Sequence, residues 1–373
     1  MRNFRDNMRG HPHVLFALAA AVGLSAGGAP AAAKHSNDLQ SCPIAWQRYS
    51  IDSPFVDILS NAQTRKTIEV EAPGLLRVPI FLKTTPPTLA GIVSPRTLNA
   101  MLSAHVDLAQ LDKALASSKV TLQAARERCA RYETKPPVLA RPAHRPAILI
   151  FDKSIGFKDE ASVNAASAAL ADIARRRGWS VTSTSNAAVF NPAQLAMFDT
   201  VIWNNVSGDA LNLPQRNAFR NYIVRGGGFA GIHGSGGDFI YLWDWYADQL
   251  IGARFAGHPE AHQDAVVLTE ASPITQGLPS SWRMKEEWYS FHVNPRQRGV
   301  HVVARLDETS YTPGEKLKMG DHPIAWSHCL GKGRSFYSAI GHRVDAYSQP
   351  QAVQLLEQGI AWTLDKRACP ERR

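Results

Sequence analysis

The segment Arg225-Gly226-Gly227-Gly228-Phe229-Ala230-Gly231-Ile232-His233-Gly234-Ser235-Gly236-Gly237 sets glycines on both sides of a short apolar run. That pattern predicts a buried strand over 229–232, entered and left by tight turns. Gly226 to Gly228 come before the strand, whereas the glycines of a dinucleotide fingerprint follow one. They read instead as a helix C-cap and turn. His233 falls at the strand's C-terminal end, where open α/β sheets bind ligands. Gly231-Ile232-His233-Gly234-Ser235 has the outline of a nucleophile elbow with His at the pivot. A serine-hydrolase reading requires Ser235 beside a base and an oxyanion pocket.

Working outward from this segment gives alternating strands and helices. Upstream, Ala147–Phe151 is a continuous apolar strand. Glu160–Arg177 is a helix with Val163, Ala166, Leu170, Ile173 and Ala174 on one face, stopped by Gly178 after three arginines. Strands are predicted at 179–183 and 200–203, a short helix from Asn191-Pro192, and a helix at 214–224. This rhythm indicates an α/β domain with a parallel sheet and crossover helices. Beyond Gly237 the regularity falls. Strands at 266–268, 301–306, 324–326 and 335–340 and a last helix at 351–364 predict a mixed sheet toward that end.

The chain of 373 residues has room for a second unit. A linker with Pro136, Pro137, Pro142 and Pro146 occupies 135–146. Before it, 34–134 reads as a small, mainly helical accessory module. Asp52-Ser53-Pro54 starts a helix through Val56, Ile58 and Leu59. Leu108, Leu111, Leu115, Leu122 and Ala125 suit one helical face over 108–131, with breaks at 60–64 and 73–79. The module holds His105 but no cluster of His, Asp and Glu. Its opening, Tyr49 to Leu59, resembles a helical module appended to secreted esterase-like proteins.

Residues 1–33 have the three-part order of an export signal: Arg2, Arg5 and Arg9, then an apolar run from Val14 to Leu24, then small residues to Ala33. The apolar run is too short to span a bilayer, and no later run reaches that length. The expected location is periplasmic or secreted. In an oxidising compartment, Cys42–Cys129 and Cys329–Cys369 form the domain-by-domain pairing among three connectivities, with free thiols as the other reading. Net charge is +9, and part of it belongs to the signal. Lys316, Lys318, Lys332 and Arg334 make no continuous basic stripe, which argues against a nucleic-acid partner.

Several polar groups sit among aromatics. His258 and His262 are four apart, although Pro259 opposes a regular helix between them. Glu286-Glu287-Trp288-Tyr289, Asp321-His322-Pro323 and Gly341-His342-Arg343 follow. Together they suit either a divalent-metal site or a set of acids and bases. Trp243, Trp245, Tyr246 and Tyr289 suit stacking on sugar rings, or core packing. Trp243, Trp245, Tyr289, Asp321 and His322 are the expected substrate contacts.

Residues 147–366 resemble the ThuA-like domain, the trehalose-utilisation family with a class I glutamine-amidotransferase-like fold. The resemblance runs through Gly156-Phe157, Gly226 to His233, Gly252-Ala253-Arg254-Phe255-Ala256-Gly257-His258-Pro259, Glu287-Trp288-Tyr289, Asp321 to Trp326, Gly331-Lys332-Gly333-Arg334 and Gly341-His342. It implies a flavodoxin-like, mostly parallel sheet with flanking helices, ending in a tail at 367–373. His233 stands where an amidotransferase carries its cysteine, so glutamine hydrolysis is not expected. The resemblance also implies a divalent metal and a saccharide substrate. His233, Glu287 and His342 are the expected catalytic residues and, with His258, the expected ligands. In the family a His often stands two positions after the Phe of the Gly-Phe pair; here that place is Asp159.

The resulting expectation is an exported enzyme acting on a trehalose-like disaccharide or keto-sugar as a hydrolase, lyase or isomerase, with Glu287 moving a proton. The alternative is a noncatalytic carbohydrate-binding or scaffold protein. Convergence of His233, Glu287 and His342 in one place favours the enzyme.

Overall fold

The computed structural model describes residues 39–369; the export signal expected at 1–33 lies outside them. Among these residues no helix is long and apolar enough to cross a membrane.

The first unit is helical: α1 (Phe55–Ser60), α2 (Ala62–Glu71), α3 (Pro95–Leu102), α4 (Leu108–Ala116) and α5 (Leu122–Cys129), with short 3-10 turns between. Asn61 ends α1 and caps α2 by accepting from the Gln63 and Thr64 amides. The single helical face expected over 108–131 is instead two helices. Thr121 caps α5 through the Ala124 amide, and Leu122, read as a core position, is exposed. Phe55, Ile58, Leu111 and Leu115 form the core. Beside it, Asp57 is buried between Arg128 and Arg131. The Cys42–Cys129 disulfide joins the unit's start to α5.

The second unit carries a nine-stranded sheet in the order β2-β1-β3-β4-β11-β10-β9-β6-β7. Its parallel half consists of β1 (Ala147–Phe151), β2 (Ser180–Thr184), β3 (Thr200–Asn204), β4 (Gly228–Ile232) and β11 (Gly333–Ser338). β1, β3, β4 and β11 are buried along their length, as a sheet covered on both faces requires. The crossovers run through α6 (Glu160–Arg177), α7 (Pro192–Leu195) and α8 (Leu213–Val224), and α9 (Pro350–Thr363) packs on β11 and β4. The antiparallel half adds β6 (Gln263–Thr269), β7 (Ser281–Glu286), β9 (His301–Asp307) and β10 (His322–Leu330). A two-stranded ribbon pairs β5 (Phe255–Gly257) with β8 (Ser290–Phe291). The fold is therefore flavodoxin-like α/β, mixed at its far end as expected. The Cys329–Cys369 disulfide ties β10 to the chain after α9.

Candidate metal centre

β4 and β11 run parallel, so their C-terminal ends open on the same edge of the sheet. His233 follows β4 and His342 lies four residues past β11. β7 ends at the same place although it forms the opposite edge of the sheet, because Glu286 reaches the loop after β11. Its carboxylate accepts from the Gly341 and Arg343 amides at 3.0 and 3.1 Å, and from the Glu287 amide at 2.8 Å. One buried acid thus fixes the backbone on both sides of His342 and the backbone of Glu287. Burial raises the Glu286 pKa against the pull of His233 and these amides.

Glu287 is the centre of the site. Its Oε2 lies 3.2 Å from His233 Nε2 and 3.3 Å from His342 Nδ1. Its Oε1 lies 3.4 Å from His258 Nε2 and 3.9 Å from His262 Nε2. Burial pushes the carboxyl upward, but the His233 contact and the surrounding imidazoles outweigh it and hold the pKa down to about 2.

The imidazoles are oriented from behind. His233 Nδ1 is 2.7 Å from the Ala339 carbonyl, so Nδ1 carries the donated proton and Nε2 faces Glu287. The residue adopts φ +36°, a sparsely populated conformation held by two contacts. Tyr337 Oη donates to the His233 carbonyl at 2.8 Å, and Asn205 Oδ1 accepts the Gly234 amide at 3.1 Å. Tyr289 packs over the His233 ring with centroids 4.2 Å apart. Burial disfavours the His233 imidazolium, yet Glu287 and Glu286 raise its pKa. His342 has Asp159 3.5 Å from Nε2, which leaves Nδ1 for the Glu287 side. Burial and the neighbouring His233 hold His342 at a pKa of about 4, neutral at physiological pH.

His233 Nε2, one Glu287 oxygen and a His342 nitrogen lie within 4.8 Å of one another. A lone pair on each imidazole facing a carboxylate is unfavourable unless a positive charge stands between them. The raised His233 pKa reports the same demand met by a proton. Two imidazoles, an ionised carboxylate and second acceptors behind both rings therefore suit a divalent cation.

The three expected catalytic residues thus converge, and His258 joins them on the other carboxylate oxygen. His262, which the sequence offers only as the partner of His258, reaches the same oxygen without a helix. Asp159 caps α6 through the Ala161 and Ser162 amides and also faces His342. The expected substrate contacts divide. Tyr289 is in the site through His233. Trp243 and Trp245 instead pack on each other, on Tyr246 and beneath the Arg216 and Arg220 guanidiniums. Asp321 pairs with Arg296 at 2.7 Å. His322 is buried, with Nε2 2.8 Å from the Tyr289 carbonyl and Nδ1 2.7 Å from Glu308. It supports Tyr289 and does not face the imidazole cluster. Ser235 is also spoken for, donating to the Trp203 carbonyl and accepting the Val206 amide. That occupation removes the serine-hydrolase reading.

The family comparison agrees with this geometry. A family model described as ThuA, trehalose utilisation, matches residues 147–363. The chain belongs to the ThuA family. Its match spans the whole sheet and all the residues that contact Glu287, and leaves the helical module outside. A ThuA-like protein of known structure from Bacteroides uniformis is 25% identical, with a TM-score of 0.52, covering 61% of this chain and 95% of that one. Another from Parabacteroides merdae is 16% identical, with a TM-score of 0.47, covering 60% and 92%. No curated protein matches the chain. All four cysteines are in disulfides, so this ThuA domain has no thiol for amidotransferase chemistry.

Beside the site, a cleft of about 810 Å³ is lined by His342, His262, Asp159 and Arg343 and continues along α6 to Asp172 and Arg176. His342 forms part of its wall, whereas His233 and Glu287 do not.

Proposed function

We propose that the protein is an exported carbohydrate-active enzyme that moves a proton beside a carbonyl of a keto-sugar or an oxidised disaccharide. The observation that carries this reading is one ionised carboxylate, Glu287, contacted by four imidazoles on two different oxygens. The family's association with trehalose utilisation supports a saccharide substrate. Two formed disulfides support an oxidising compartment.

His233, Glu287 and His342 would hold a divalent cation, whose chemistry is to polarise a carbonyl oxygen and stabilise the charge that develops on it. Glu287 at a pKa of about 2 is a poor proton acceptor, so its part is to hold charge rather than to move a proton as first expected. That work falls to an imidazole on its other oxygen. His262 is about a third exposed and faces the cleft, and burial lowers its pKa, which keeps it neutral at physiological pH. It takes the proton from the carbon next to the carbonyl, and the electron pair left behind moves to the carbonyl oxygen. The imidazolium so formed on His262 returns that proton to the product or to a leaving group, while His258 Nε2, 3.4 Å from the same Glu287 oxygen, helps hold the carboxylate's charge. Proton removal at that carbon is the shared first event of isomerisation and elimination.

The test combines metal content of the purified mature protein with turnover of disaccharides and their 3-keto derivatives. Loss of turnover in His262→Ala with metal content intact, and loss of both in His233→Ala, are the expected results. Full turnover in both folded variants would sink the assignment.

A further inference from the structure

The helical module lies outside the family match, yet it touches the site's most distinctive loop. Residues 152–159 leave β1 and deliver Phe157 and Asp159. Phe157 is exposed, with its ring parallel to that of His342 at 6.3 Å, and Asp159 stands behind the same imidazole. Nothing in 152–159 is itself regular structure apart from an isolated bridge between Ser154 and Ser207, so something else must fix it.

Two walls do so. On one side, the Ser207 carbonyl accepts the Ile155 and Gly156 amides at 2.8 and 3.0 Å, and Ser207 Oγ accepts the Phe157 amide at 3.0 Å. On the other side stands the module. The Thr88 amide donates to the Ile155 carbonyl at 3.1 Å, and Ile92 lies directly over Gly156. A Cβ on Gly156 would fall 2.3 Å from Ile92 Cγ2 and 2.5 Å from Ser207 Oγ, so only glycine fits between the walls. Thr88 is itself fixed, capping the 3-10 turn Leu89–Gly91 and donating to the Lys83 carbonyl at 2.6 Å.

We propose that residues 88–92 of the module are a positioning element of the site. They clamp Ile155 and Gly156 and thereby set where Phe157 and Asp159 stand relative to His342. Ile92 acts on the site through its contact with Gly156 in the loop.

Hydrogen exchange on the full chain tests the clamp, and Co²⁺ titration tests its consequence; the second arm rests on the metal reading above, the first does not. In Ile92→Ala the amides of 153–162 should exchange at least about fivefold faster, with the rest of the sheet unchanged. Ile92→Val keeps Cγ2 and should restore protection. Gly156→Ala attacks the same contact from the loop side and should loosen the same amides, which covers the case of an unfolded Ile92→Ala. Equal protection in every folded variant overturns the clamp. Co²⁺ affinity should fall by about 5- to 10-fold in Ile92→Ala, as for an outer-shell change, and show no further fall when Asp159→Asn is already present. Additive losses would overturn positioning through Asp159. Absence of Co²⁺ binding in the parent protein would sink the metal reading alone, and the exchange arm would still decide the clamp.

Discussion

The two halves of the sheet contribute to one site in different ways. The parallel half brings His233 and His342 to it through adjacent, fully buried strands whose ends must open together. The antiparallel half brings Glu287, with Glu286 just before it, from the far edge of the same sheet. The first contribution follows from strand order alone. The second depends on a curl of the sheet that a buried carboxylate and three backbone amides hold in place. The sheet therefore presents neutral ligands from its regular side and the shared negative charge from its irregular side. Metal affinity should consequently be more sensitive to the antiparallel half.

The strongest way to break this comparison is Glu287→Gln. Removing the only carboxylate that all four imidazoles share should lower Co²⁺ or Zn²⁺ affinity by at least about 100-fold, as read by calorimetry. A loss smaller than that of His342→Ala would reverse the ranking of the halves. Next comes Glu286→Gln. One of its two oxygens becomes an NH₂ that opposes a backbone N–H, so unfolding should become easier by about 1–3 kcal/mol in denaturant titration. Unchanged stability would show that the curl is held elsewhere. Asp159→Asn keeps a good helix cap and loses only the charge behind His342. Its expected effect is about tenfold in metal affinity with little change in melting temperature.

The smallest effect is a pH slope in the parallel half. Asp238, beyond β4, accepts from Ser207 Oγ and the Gly208 amide, and burial raises its pKa to about 7. A carboxyl raised on folding contributes stability while it stays protonated and loses it as pH climbs toward that value. The loss runs from the unfolded carboxyl's value, about 4, up to about 7, so stability should decline over that window by at most about 1.4 kcal/mol per pH unit and level off above it, and Asp238→Asn should flatten the decline. A slope that persists in the variant would assign it to another group.

The same division explains what could be read from the sequence. In the parallel half, β1 and α6 match their expected bounds, and β2, β3, β4 and α8 differ by a residue or so. Each is a compact apolar run or a one-faced helix closed by its own cap. In the antiparallel half β5, β7 and β8 went unseen. β5 and β8 are too short to show a period. β7 does alternate, with Trp282, Met284 and Glu286 inward, but a charge occupies the last inward place and hides the pattern. The site residues follow suit. His233 was legible from its place at a strand end. Glu287 and His342 needed the family resemblance, because no local spacing links residues 233, 287 and 342. Trp243 and Trp245 pack apart from the imidazole cluster, under Arg216 and Arg220, because large aromatics serve a core as readily as a sugar.

The glutamate pair at the end of β7 also constrains how this gene can change length. Side chains along 281–286 alternate between two faces, and Glu286 keeps the buried one. An insertion or deletion of one codon inside that stretch would exchange the neighbours, turning the amide-bound acid out and the imidazole-bound acid in. A change of two codons would restore the facing. β7 is thus subject to a parity rule: even-length changes leave the site recoverable by repacking, whereas odd ones erase it while keeping every residue type present.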